Sequence, residues 1–405
     1  MTLKLSNYLA DICMKLFVAL GPGDIVNAAR LRLNGKEISE TSIAFSEQLF
    51  SYCKTEQIKT LAISAHPRPD RIQDGIISIE NQPKLFGGKG GLAFHISALH
   101  YACSLALRAY RFGADLAIID AGTTHYFLLA FFRLFGIRVA VNLHNVLWPV
   151  GYPPQKKVHQ IIRSLNAFFF RNLAAGAIGV SPECERQVVS ESSNRIPFFQ
   201  YRCQFVTDGF LQAKPYETGT FRIACVGRAE ENKGFIDIAN IAECLQTRSL
   251  VPVEFHICGE GPAIPELKKI IREKNLANSV IIHGRLERAA LLKVYARSHA
   301  VIIPTKSTFA GGMPQVCAEA VLSGLPVITS PVSNAFDVIG PAIVRVDTDN
   351  IQSYVDCIIT LITDRKLYRN LQAQCDICSQ QFLDRSKRYS AAVISLINTL
   401  FPAQV

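Results

Sequence analysis

The sequence has no block of five like charges and no interleaving of aromatic with basic residues, which sets nucleic acid aside as a partner. It has no short-period repeat and no low-complexity segment, so a solenoid or a compositional tail is excluded, and the run Phe168-Phe169-Phe170 reads as core packing. No apolar stretch is both long enough and uncharged enough to span a bilayer. The most apolar region, Tyr126 to Leu143, carries Arg133 and Arg138, and it predicts a buried helix, Thr124 to Phe135, followed by a buried strand. The run Leu16 to Leu20 ends at Gly-Pro-Gly with no cleavage-like segment behind it, which predicts no signal peptide. A disulfide framework is also missing. The 12 cysteines are scattered singly from Cys13 to Cys378, several inside strand-like runs, as buried thiols are in a reducing compartment. The one Cys-x-x-Cys, Cys375 and Cys378, has no second pair and falls in a helical stretch, so no metal site is expected there.

What is present is apolar and basic. Over 405 residues, 49% are apolar and 19% charged, which excludes intrinsic disorder and suggests two or three domains. The formal net charge is +10, unevenly spread: residues 1–212 carry 22 Lys+Arg and 15 Asp+Glu, residues 213–405 carry 21 and 18. A basic first half suits an anionic membrane surface or an anionic substrate.

Short apolar runs alternate with amphipathic stretches almost from end to end, the pattern of parallel sheets covered by helices. Strands are predicted at Lys15 to Leu20, Thr60 to Ala65, Asp115 to Asp120, Arg138 to Leu143 and Ala177 to Val180. In the second half they are predicted at Phe221 to Val226, Val253 to Cys258, Ser279 to His283, Ala300 to Pro304, Pro326 to Thr329 and Ala342 to Val346. The polar segment Asp208 to Thr220 marks a boundary. This gives an α/β chain of two Rossmann-like, doubly wound domains, residues 1–212 and 213–384, followed by a last helix in residues 385–405. Ligands of such sheets sit beyond the carboxyl ends of the strands, so residues just after strands are the ones to inspect.

In the second half, the loop Gly227-Arg228-Ala-Glu-Glu-Asn-Lys233-Gly234 offers a close-approach glycine and two cations near a helix start, which suits a diphosphate or a solvated surface. Gly259-Glu-Gly261-Pro262 is a second tight turn into a helix. Gly311-Gly312-Met313-Pro314 then presents backbone N–H groups just before a helix whose second turn carries Glu319, placed to accept ribose hydroxyls or to pair locally.

These features, in this order and at this spacing, resemble the nucleotide-sugar domain of the GT-B-fold retaining glycosyltransferases of the family 4 group (glycosyl transferases group 1). The block GMPQVCAEAVLSGLPVITS is the closest part, and the likeness runs well over Phe221 to Asp384 and more loosely over the first half. The resemblance implies that Arg228 and Lys233 hold the donor diphosphate, that Glu319 binds the ribose, and that Gly21, Gly23, Gly227, Gly259, Gly311, Gly312 and Met313 shape the donor site. One position departs from the pattern: the glutamate expected eight residues before the ribose glutamate is Gly311, so the donor sugar differs from the usual ones, is held by the amides of Gly312 and Met313, or is not transferred at all.

In the first half, Gly21-Pro22-Gly23-Asp24 follows the first strand but has no third glycine to make a dinucleotide fingerprint. Gly87-Gly88-Lys89-Gly90-Gly91 suggests a cationic flap; Lys89 is not followed by Ser or Thr, so it is not a Walker loop. His144, ending a strand, faces the donor sugar in the resembled family. His125, Asn145 and Trp148, with Gly87 and Lys89, are the acceptor-side candidates. Asp347-Thr-Asp349 precedes a helix at Asn350 and reads as a cap, not a metal ligand. The resemblance thus implies a metal-independent hexosyltransferase with no cofactor beyond its nucleoside-diphosphate sugar, its last helix, in residues 385–405, returning to the first domain; the scattered thiols suit a cytoplasmic protein. A saccharide or lipid-linked acceptor, cell-surface polysaccharide or lipopolysaccharide synthesis, and peripheral contact with the inner membrane are expected. A binding protein of the same fold without transfer is the alternative.

Overall fold

The computed structural model describes residues 14–35, 42–87, 90–206 and 209–402. Two sheets organise them. The first has eight strands in the order Asp70–Asp74, Ile77–Asn81, Lys59–Ser64, Lys15–Leu20, Leu116–Asp120, Arg138–Leu143, Gly176–Gly179, Phe198–Gln200. Every neighbouring pair is parallel except the first, a hairpin. The second has six parallel strands in the order Val280–Gly284, Val253–Cys258, Phe221–Val226, Ala300–Ile303, Val327–Thr329, Ile343–Arg345. Both are buried on two faces, which is why their strands are continuous apolar runs such as Leu-Phe-Val-Ala-Leu at 16–20. Strand order reverses beside Lys15–Leu20 in one sheet and beside Phe221–Val226 in the other, and the carboxyl end of Arg138–Leu143 in the first sheet faces those of Phe221–Val226 and Ala300–Ile303 in the second across a cavity.

Local chemistry sets the helix ends. Asp24 caps the Ile25–Leu33 helix by accepting from the Asn27 amide at 3.0 Å, and Ser181 caps Pro182–Ser192, with proline in its first turn. Gly113, at φ +74°, ends the long Leu92–Phe112 helix in the left-handed conformation. The last helix, Tyr389–Leu400, packs on the first sheet's core through Tyr389, Val393 and Leu396, and Arg202 N–H donates to Lys387 O at 2.7 Å. A Cβ at Gly176 would come within 2.6 Å of Leu396 Cδ1, so glycine is what lets this helix close on the sheet.

Several expectations are corrected. The apolar Thr124–Phe135 stretch is not one helix but a 3-10 turn, Tyr126–Leu129, followed by Ala130–Leu134. The loop after Phe221–Val226 does not open the next helix directly: Lys233 sits on a 3-10 turn, Glu231–Lys233, and the helix begins at Asp237. Phe168-Phe169-Phe170 is core only in part, because Phe169 and Phe170 are buried while Phe168 is 59% exposed. The cap at 347–350 is Asn350, which accepts from Ser353 N–H; Asp349 instead accepts from Ser307, through its amide and its hydroxyl.

Candidate active site

The loops leaving the second sheet are drawn together by close backbone approach. A Cβ at Gly259 would lie 1.8 Å from Gly227 O, so only glycine allows the loops after Phe221–Val226 and Val253–Cys258 to touch. The carboxyl ends of Phe221–Val226 and Ala300–Ile303, with residues of the Pro304–Val316 segment, enclose a cavity of about 310 Å³, walled on the other side by His144 and Asn145 of the first domain; Gly259 supports the Gly227 loop from behind and does not line it.

Arg228 and Lys233 both line this cavity. Arg228 is largely exposed and pairs with Glu230 at 3.0 Å. Lys233 Nζ lies 5.3 Å over the Phe309 ring, a cation–π contact. Burial, and then the nearby Arg228, hold the Lys233 ammonium below its ordinary pKa. Lys233, with Arg228 beside it and Glu230 against the pair, is a seat at the strand ends for a multiply charged anion.

Gly311, Gly312, Met313 and Pro314 form the cavity's rim. The amide of Gly312 donates to Asn145 Oδ1 at 3.2 Å, and Asn334 Nδ2 donates to Gly311 O. A Cβ at Gly311 would fall 2.4 Å from Phe309 Cε1, so the aromatic ring occupies the ground a side chain at 311 would use. Gln315 and Val316 of the Gln315–Leu322 helix also line the cavity. Glu319 lies one turn deeper, 5% exposed, and accepts a 2.5 Å hydrogen bond from Tyr295 OH.

On the first-domain side, His144 is held at the end of Arg138–Leu143 by buried groups. Its Nε2 is 3.0 Å from Asp120 Oδ2 and its Nδ1 2.9 Å from Tyr201 OH, while Phe45 stacks on the ring at 5.1 Å. Asn142 donates to Asp120 Oδ1 at 2.7 Å and accepts from Tyr201 OH at 2.8 Å; the Gly21 amide donates to Asp120 at 3.3 Å. Both ring nitrogens are therefore turned into the protein. What His144 presents to the second domain is its carbonyl, and Asn145 is the polar side chain beside it. Gly21 and Gly23 stand at the switch point, in the turn before the Ile25–Leu33 helix.

His125 and Trp148 lie elsewhere, in a second cavity of about 430 Å³ with Phe94, His95, Val158 and Arg163 among its walls. His125 Nε2 is 2.9 Å from His95 Nδ1, and burial followed by that neighbour lowers its pKa. The Trp148 ring carries the Arg163 guanidinium at 4.3 Å, and Arg163 pairs with the buried Glu191. Gly87 ends a surface turn and belongs to neither cavity wall; Lys89 lies outside the described residues.

Sequence reasoning missed Phe309, Tyr295, Asn334 and the Asp120–Asn142–Tyr201 network. Asp120 and Asn142 each carry a readable signal, a polar residue at or near the carboxyl end of a strand inside a buried sheet. Tyr201 and Phe309 carry none, because only the tertiary fold brings them to the cleft.

Residues 210–375 match the model of a known family, glycosyl transferases group 1. No curated protein sequence matches the chain. Among solved structures, sucrose-phosphate synthase from Thermosynechococcus elongatus is similar at a TM-score of 0.68 and 15% identity, over 96% of this chain and 100% of that one. HepE of Anabaena, in complex with UDP, is similar at 0.64 and 15% identity, over 96% and 99%. The UDP-forming trehalose-phosphate synthase of Burkholderia xenovorans is similar at 0.68 and 11% identity, over 97% and 99%. At these identities the likeness shows the fold, two Rossmann-like domains in the GT-B arrangement.

Proposed function

From the premise that residues 210–375 belong to glycosyl transferases group 1 within a GT-B chain, we propose that the protein transfers a sugar, with retention, from a nucleoside-diphosphate donor to an acceptor hydroxyl. The acceptor is a saccharide or a lipid-linked saccharide of the kind used in cell-surface polysaccharide synthesis. The observation that carries the reading is the pair of cations, Arg228 and Lys233, in one cavity at the carboxyl ends of the second sheet. A structural neighbour solved with UDP and glucose supports a nucleotide-sugar donor.

The chemistry follows from charge. As the bond from the anomeric carbon to the diphosphate oxygen breaks, negative charge develops on the leaving group, and Arg228 and Lys233 offset it from the protein side, so no metal is required. The acceptor hydroxyl attacks the same face of the anomeric carbon, and its proton passes to the departing phosphate oxygen. Glu319, braced by Tyr295, takes the ribose hydroxyls. Asn145, through its Nδ2, and the amide of Met313 orient the sugar, which has no carboxylate at 311 to meet it; the Gly312 amide holds Asn145 in place.

A second reading, a nucleotide-sugar-binding protein without transfer, is favoured by one observation: the Phe309 ring lies against Gly311. A donor panel read by mass spectrometry separates the two. Binding with release of nucleoside diphosphate supports transfer or hydrolysis, and binding without any release sinks it.

A further inference from the structure

The first domain carries most of the molecule's exposed apolar bulk. Among the described residues, 15 of the 20 large hydrophobic side chains that are exposed fall between Leu85 and Phe168. They are ordered. On the Leu92–Phe112 helix, Leu92, Ile96, Leu99, Leu107 and Tyr110 recur at helical spacing along the solvent side, with the exposed Cys103 in the same line. The opposite side of this helix is also apolar and buried, through Tyr101, Leu105 and Ala109. A helix apolar on both sides is ordinarily covered on both. On the Lys157–Asn172 helix, Val158, Ile161, Leu165 and Phe168 form a second exposed stripe, bordered at heptad spacing by Lys157, Ser164 and Arg171. Both helices pack against the Tyr126–Leu129 turn, and the exposed Phe94 of one and Val158 of the other line a single cavity, so the two stripes border one surface.

Charge identifies the occupant. Residues 82–175 contain ten Lys and Arg against two Asp, and no Glu. Of the two acids, Asp120 is buried beside His144, and Asp115 accepts the Lys15 amide at 2.8 Å. A second copy of the chain would set cation against cation across such a face, whereas an anionic bilayer complements both its apolar stripes and its charge. No helix among the described residues is long and apolar enough to cross a membrane, so the helices lie along the surface.

We infer that the face made by the Leu92–Phe112 and Lys157–Asn172 helices docks on an anionic phospholipid surface, with the cavity beside Trp148, which shares Phe94 and Val158 with that face, turned toward the lipid. The inference deepens the proposed transfer, on which it rests for its purpose, by placing a lipid-borne acceptor at that surface.

The full-length protein is floated with vesicles of phosphatidylcholine alone or mixed with phosphatidylglycerol. It is expected to float with the mixed vesicles, less at high salt, and to stay behind with phosphatidylcholine. Trp148 is the chain's only tryptophan, so its fluorescence should be quenched by brominated acyl chains in the mixed vesicles. Alkylation of Cys103 by a polar maleimide should slow in their presence. The pairs Ile96→Asp with Leu107→Asp, and Ile161→Asp with Leu165→Asp, are all at exposed positions, so circular dichroism should be unchanged while flotation is lost. Leu250→Asp, on the second domain, should float like the parent. No flotation with anionic vesicles overturns the inference. So does a dimer in light scattering that these same variants dissociate. Release of nucleoside diphosphate from the donor, measured without vesicles, tests the transfer reading separately, so the failure of either one is visible without the other.

Discussion

The carbonyl oxygen of His144 and the α-carbon of Gly312 meet across the two domains so closely that a Cβ on residue 312 would lie 2.0 Å from that oxygen. The same Cβ would come within 2.7 Å of Val180 Cγ2, so neither neighbour leaves room. Gly312→Ala must open this seam. Since a displacement near 1 Å in a reacting constellation costs about 100-fold in rate, transfer is expected to fall by about that factor. Nucleoside diphosphate binding, which depends on the second domain, should change little by calorimetry. Undiminished transfer would mean that the domains work apart.

Lys233 is held below its usual pKa by burial and by Arg228 while no anion is present. A diphosphate reverses that balance, so binding at alkaline pH should take up protons, seen as a dependence of the calorimetric enthalpy on the buffer's ionisation heat. Lys233→Ala should lose this uptake and lower transfer by about 100- to 1,000-fold, the scale found for single oxyanion-stabilising groups. Equal activity of Lys233→Ala and the parent would remove the lysine from the site.

These two cations were legible in the sequence because βα loops keep their order along the chain and open at the same end of the sheet. The strands were legible for a related reason: parallel sheets buried on both faces leave unbroken apolar runs. The hairpin Asp70–Asp74 with Ile77–Asn81 escaped because it is an edge, half exposed, with alternating polarity. Its Asp74-Gly75 turn, with Gly75 at φ +62°, was the available signal. Phe168 was misread for the opposite reason, since its neighbours in a triple-phenylalanine run face the core and it does not. Tyr295 and Asn334 reach Glu319 and Gly311 only through tertiary packing, which no local spacing encodes.

At the rim, Phe309 and Gly311 exclude one another. The 2.4 Å separation between a Cβ at 311 and the Phe309 ring means that Gly311→Glu alone forces the ring aside and disturbs its contact with Lys233. The double variant Phe309→Ala, Gly311→Glu gives the carboxylate room. It is expected to turn over common hexose donors faster than Gly311→Glu, read as nucleotide release across a donor panel. Two variants with the same donor profile would show that the ring does not control this position.

Tyr295 donates to Glu319 inside the second domain, and both groups are buried. Loss of a hydrogen bond to a charged acceptor is worth about 1.5–3 kcal/mol. Tyr295→Phe should therefore weaken nucleoside diphosphate binding by roughly tenfold or more, raising KM with a smaller effect on kcat. If Glu319 reads the ribose, the variant should lose its preference for ribonucleotides over 2′,3′-dideoxy analogues. A retained preference would assign the pair to folding alone.

His299 gives the second domain a pH-dependent stability. Its Nδ1 accepts the Arg222 amide at 2.9 Å, and its ring packs at 5.0 Å from Tyr216 and 5.4 Å from Phe221. That arrangement needs an unprotonated Nδ1. Burial, and then the Arg222 charge, lower its pKa from 6.5 to about 4. The unfolded chain therefore binds this proton at a higher pH than the folded one does. The stabilisation is complete above pH 6.5, declines as the pH falls toward 4, and changes no further below that, with a slope of at most about 1.4 kcal/mol per pH unit from this one group. Carboxylates titrate over the lower part of this range, so the comparison is with His299→Asn, which cannot take the proton. Between pH 7 and 5 the melting temperature of the parent should fall more steeply than that of the variant. Parallel slopes would mean that His299 is protonated equally in both states, and that the Arg222 amide does not depend on its lone pair.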